Sequence, residues 1–138
     1  MATNKIISTH ISGMSFLTEL DGHPIHIDMS IDKEGADLGP RPKALMLVSL
    51  AGCTGLDVVM ILNKMRVEFS NFKIGVEGEL TETDPKIYHK VTLSYSIKVA
   101  DKDKKNVEKA IDLSQDKYCG VSAMFRAFAT METEINYE

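Results

Sequence analysis

Cysteine is scarce in this sequence: 138 residues carry only Cys53 and Cys119. Two thiols cannot build a disulfide-rich scaffold. Met1 to His10 lacks a basic region followed by an apolar one, so no signal peptide is expected. Both thiols are therefore expected to be reduced, in a cytoplasm. Positive charge is not in excess either. The net charge is -4, and the one lysine cluster, Asp101 to Lys105, interleaves acids with its bases. That leaves no electrostatic footprint for nucleic acid. The four histidines, His10, His23, His26 and His89, have no metal-ligand spacing, and His23 and His26 fall on opposite faces of one expected strand. Phosphate-binding glycine loops, nucleophile elbows, repeats and low-complexity tracts are all missing. No metal and no cofactor is expected. What remains is ordinary globular composition, 43% hydrophobic and 26% charged, long enough for one domain, residues 1–138, with its own core.

The patterning predicts the elements. Lys5 to Ile11 and Met14 to Leu20 alternate weakly. Asp21-Gly22 is the dipeptide of a tight hairpin, since both positions accept positive φ. His23 to Ile31 follows with Ile25, Ile27, Met29 and Ile31 on one face, giving a three-stranded antiparallel start. Lys33 to Pro42 is a loop by its glycines and prolines, and Pro42 suits the first turn of a helix running to about Arg66. Phe72, Ile74, Val76 and Leu80 mark a strand. From Ile87 to Val99 the alternation is clean, with Ile87, Val91, Leu93, Tyr95, Ile97 and Val99 on one face and Tyr88 and Lys90 on the other. Asp101 or Asp103 is expected to cap a helix over Lys104 to Ser114. A break at Gln115 to Tyr118, a short helix from about Cys119 to Phe128, and a strand through Met131 to Tyr137 complete the order. This is α+β, with no parallel βαβ signature.

The long helix holds the unusual residues. Ala44 to Leu62 is apolar and long enough for a membrane span. It nevertheless contains Asp57 mid-run, with Gly52 and Gly55 nearby, and an all-apolar helix in such company is expected to be buried in a protein core rather than a bilayer. Cys53 lies well inside it. Alone, it reads as a small packed hydrophobe with a raised pKa, and Asp57, four residues on and on the same face, would raise it further. Cys119 instead stands at the start of the expected short helix, where a thiolate is stabilised. Gly52 and Gly55 each cost about 1 kcal/mol in a helix interior. They point to close approach of another backbone, either the Cys119 segment or a second subunit, or to tight helix packing.

The stretch "RPKALMLVSLAGCTGLDVVMILNKM", taken with "DKYCGV", resembles the OsmC/Ohr family of osmotically induced and organic-hydroperoxide-resistance proteins. The likeness covers nearly the whole chain, and the two cysteines are its most specific part. It implies an OsmC-like fold: antiparallel sheets wrapping long central helices in an intertwined homodimer, with a second chain covering the apolar helix. It also implies thiol-dependent reduction of organic hydroperoxides in oxidative or osmotic stress defence. By motif, Cys53 would be the peroxidatic thiol and Cys119 the resolving one, with a dithiol as reductant. The helix-terminus argument favours Cys119 as the lower-pKa thiol; the resemblance reverses those roles.

The chain departs from the family pattern in its charges. Peroxidase members pair the reactive thiol with an arginine from an N-terminal loop and a glutamate early in the long helix. Here no arginine precedes Arg41, and Lys43 stands at the glutamate position. Lys43, Arg41 and Arg126 are the candidate cations, with Lys43 first, and Asp57 is an added negative group. Two functions follow: a hydroperoxide reductase acting on small apolar substrates beside residues such as Leu50, Met60 and Met124, or a non-catalytic dimeric small-molecule-binding protein that keeps the fold.

Overall fold

A computed structural model describes all residues, Met1 to Glu138. The chain gathers into two compact units, Met1–Met46 and Leu47–Glu138.

The first unit is a three-stranded antiparallel sheet of β1 (Ser8–Ser12), β2 (Ser15–Leu20) and β3 (His23–Ile27). Its second hairpin turns at Asp21 and Gly22, both at positive φ (51° and 79°). That is the backbone this dipeptide was expected to supply. β3 ends at Ile27, short of the expected Ile31, because Asp28 turns inward. Its buried carboxylate accepts N–H bonds from Met29 (2.7 Å), Leu38 (3.2 Å) and Ala36 (3.3 Å). The loop after β3 is thereby wound around one acid. Burial pushes the Asp28 carboxyl up, but these N–H donors and the Arg41 charge outweigh it, leaving the pKa below the ordinary value. Arg41 itself pairs with Asp37 at 2.7 Å and donates to the Gly39 carbonyl.

Helix α1 (Pro42–Lys64) begins at the expected proline and runs from the end of the first unit into the second. There follow β4 (Phe69–Leu80), β5 (Tyr88–Val99), α2 (Lys104–Leu113), a π-helical turn at Ser114–Tyr118, α3 (Gly120–Arg126) and β6 (Thr130–Tyr137). Asp103 occupies the N-cap of α2 without a side-chain capping bond, and Asp101 pairs with Lys104 at 3.0 Å instead.

The second sheet has the order β4-β5-β6. β4 and β5 are antiparallel, but β5 and β6 are parallel, from Lys90 opposite Thr130 to Ile97 opposite Tyr137. This corrects the expectation of no parallel βαβ unit. The segment from α2 to α3 carries the chain back, so β6 enters in the direction of β5. Apolar alternation marks a strand's faces and not its direction, and the two-helix crossover hid the connection.

The face assignment of β5 also changes at one end. Val91, Leu93, Tyr95 and Ile97 are fully buried as expected, but Tyr88 is buried and Ile87 exposed. Glu79 pairs with Lys90 and Leu80 with Tyr88, so His89 is an extra residue. This bulge reverses the side-chain alternation beyond it. The Tyr88 ring then stacks on Phe125 of α3, with centroids 6.5 Å apart.

The core of this unit joins those β5 residues to Leu50, Val58 and Leu62 of α1, Val107, Ala110 and Ile111 of α2, and Phe125. α1 buries only the stripe Leu50, Thr54, Val58 and Leu62, one residue per turn. Val48 (64%), Leu56 (70%) and Met60 (58%) remain exposed. α1 is the one helix whose length and composition would allow a membrane crossing.

Candidate active site

Two thiols distant in sequence meet between α1 and the turn into α3. The Sγ atoms of Cys53 and Cys119 and a carboxylate oxygen of Asp57 all lie within 4.8 Å of one another. Both cysteines are free, Cys53 partly buried and Cys119 buried. Cys53 and Asp57 share a face because four residues make about one helical turn. Cys119 is placed by the π-helical turn. Its N–H bonds the Ser114 carbonyl at 2.7 Å, and as N-cap of α3 its sulfur accepts the Ser122 N–H at 3.3 Å.

Beneath the thiols runs a polar chain that the sequence reading missed. Ser114 Oγ donates to Asp57 Oδ2 at 3.0 Å. Each hydroxyl has one proton, so this donor commits the rest. Thr54 Oγ1 donates to Ser114 Oγ (2.8 Å), and Tyr95 Oη donates to Thr54 Oγ1 (2.6 Å). Gln115 Nε2 donates to both Tyr95 Oη (2.9 Å) and Thr54 Oγ1 (3.2 Å). Burial, with smaller contributions from Cys119 and Asp57, raises the Tyr95 pKa and keeps it a donor. The chain thus ends on Asp57 and fixes the orientation of its side chain. The available signal was Thr54 in an apolar helix and a tyrosine on the core face of β5, each a buried hydroxyl needing a partner.

The Cys53 pKa is raised. Burial is the largest cause, followed by the hydrogen bond with Cys119. The Val121 N–H opposes them, and the charges of Cys119 and Asp57 add to the rise. Asp57 therefore acts in the expected direction. No cation is among these influences within the chain. Lys43 sits in the first turn of α1, ten residues before Cys53 and so roughly 15 Å along the axis. Arg126 is exposed at the end of α3, and Arg41 engages Asp37 and Gly39. The helix glycines are not turned to Cys119. A Cβ on Gly55 would meet Ile74 of β4 at 3.1 Å, whereas Gly52 has nothing within 4 Å.

Beside Asp57 a cavity of about 500 Å³ is lined by Met60, Ile61, Met65, Leu113, Tyr118 and Lys64. Of the residues expected to flank a substrate, Met60 lines it. Leu50 is sealed in the core, and Met124 is exposed on α3.

The fold and this thiol pair define an α+β protein with a dithiol centre at a helix–turn junction. Residues 34–134 match the model of the OsmC-like protein family, and the chain belongs to that family. Protein YhfA of Escherichia coli is 31% identical over 115 residues, 83% of each chain. The solved structure of a hypothetical protein from Aquifex aeolicus is 31% identical with a TM-score of 0.81, covering 100% of this chain and 99% of that one. An organic hydroperoxide resistance protein, OsmC, from Legionella pneumophila has a TM-score of 0.67 at 15% identity over 99% of both chains, which shows the fold alone.

Proposed function

We propose that the protein is a dithiol hydroperoxide reductase. The observation that carries this is the meeting of two free thiols from separate elements within 4.8 Å. Cys53 attacks the terminal peroxide oxygen, gives the alcohol and becomes a sulfenic acid. Cys119 attacks that sulfur, a disulfide forms and water leaves. An external dithiol restores both thiols. Cys53 takes the peroxidatic role because it is the less buried and lies beside Asp57, which flanks the apolar cavity. The substrate is a small apolar hydroperoxide, and the cytoplasm, where thiols stay reduced, is the setting. The test is mass spectrometry after alkyl hydroperoxide treatment. An intramolecular Cys53–Cys119 disulfide is expected, and Cys119→Ser is expected to accumulate sulfenic acid at Cys53. Untouched thiols in excess peroxide reject the proposal.

One observation favours a second reading, a binding protein without turnover. The Cys53 thiol is raised in pKa with no cation acting on it inside the chain. Under the first reading that cation, Lys43 or Arg126, comes from a second copy. The exposed apolar face of α1 supports a homodimer, since Val48, Gly52 and Leu56 line an open apolar groove with Phe72 and Ile74.

A further inference from the structure

We propose that Cys53, Cys119 and Asp57 form a zinc site in the reduced protein, one that disulfide formation dismantles. Donors bound to one tetrahedral zinc ion at about 2.0–2.3 Å lie roughly 3.3–3.8 Å from each other. The three donor atoms, within 4.8 Å of one another, reach that arrangement by side-chain rotations that draw them together by roughly 1 Å. Two thiolates select a thiophilic ion over calcium or magnesium, and the harder carboxylate favours zinc(II) over copper(I).

The surroundings are those of metal-bound thiolates. Each sulfur is met by a backbone N–H, Cys119 by Ser122 and Cys53 by Val121. Asp57 is oriented by Ser114 Oγ, itself the end of the Tyr95–Thr54–Ser114 chain. Such supporting bonds hold ligands in place. Three protein donors leave a fourth position, and the cavity beside Asp57 is where water or an added ligand would enter. Oxidation consumes both sulfur donors. Two thiolates pass two electrons to a hydroperoxide, which with two protons leaves as alcohol and water, and the ion is released.

Metal binding stands apart from the peroxidase proposal, because it needs no peroxide; release of the ion by hydroperoxide rests on that proposal. The experiment uses the full chain, reduced, chelator-stripped and free of oxygen, titrated with cobalt(II) and then zinc. One equivalent of cobalt per chain should give a thiolate-to-cobalt charge-transfer band, bleached by one equivalent of zinc. Cys53→Ser and Cys119→Ser should each abolish the band. Ser114→Ala should keep it with affinity about tenfold weaker. Should a cysteine variant fail to fold, the wild type decides by itself. Zinc should release about two protons per chain at neutral pH, reversed by chelator. No thiolate band, a band surviving in folded Cys119→Ser, or no proton release overturns the site. A chain that binds zinc yet ignores hydroperoxide keeps the site and loses the reductase.

Discussion

Asp57 is the residue on which the two chemistries of the site turn. Its carboxylate is held by a hydroxyl chain beginning at Tyr95, and its charge adds to the forces that keep Cys53 protonated. Removing that charge should lower the thiol pKa. Asp57→Asn is expected to alkylate faster at Cys53 than wild type at a fixed pH below the thiol pKa, measured with chelator present. Burial and Cys119 remain, so the pKa should not return fully to that of a free thiol. An unchanged alkylation profile would mean that Asp57 acts through position and not charge. The i, i+4 pairing of Cys53 with Asp57 was legible in the sequence, because helix periodicity alone places them together. Their meeting with Cys119 was not. It depends on the π-helical turn at Ser114–Tyr118, which no residue pattern announces beyond a break in helical periodicity.

At the scale of elements, the order of strands and helices followed from apolar periodicity, and the exceptions have identifiable causes. The His89 bulge reversed one end of β5, and the α2–α3 crossover made β6 parallel. The loop after β3 was legible as a loop but not as a structured one. Its order comes from Asp28, a single acid that satisfies several backbone N–H groups. The sign of its contribution is definite. The Asp28 pKa is lowered in the folded state, against an unfolded value of about 3.9. Its stabilisation is therefore complete above about pH 4 and is lost as pH falls through the folded pKa. Thermal melts of wild type and Asp28→Asn should differ most near neutrality and converge in acid. A constant difference across that range would assign the effect to packing instead of charge.

On the scale of the whole molecule, the long helix poses the remaining physical problem. α1 packs a one-residue-per-turn stripe into its own chain and leaves Val48, Leu56 and Met60 in water. Such a contiguous apolar face marks an interaction surface, and the homodimer proposal covers it with a second copy. Gly52 offers a test that separates chain from assembly. Nothing in the chain lies within 4 Å of a Cβ placed there, so the side chain of Gly52→Leu starts from open space in the lone chain. It should also favour the helix by up to about 1 kcal/mol. Only a body seated on that face would be displaced. Light scattering of wild type at micromolar concentration should give twice the 15.3 kDa chain mass, with a melting temperature that rises with concentration. Gly52→Leu should shift the mass toward one chain and flatten that dependence, while its helical content is retained. A variant that stays at the wild-type mass and keeps its concentration dependence would place the interface elsewhere. A wild type that runs as a stable single chain would overturn the homodimer and leave the thiol pair without a partner subunit's cation.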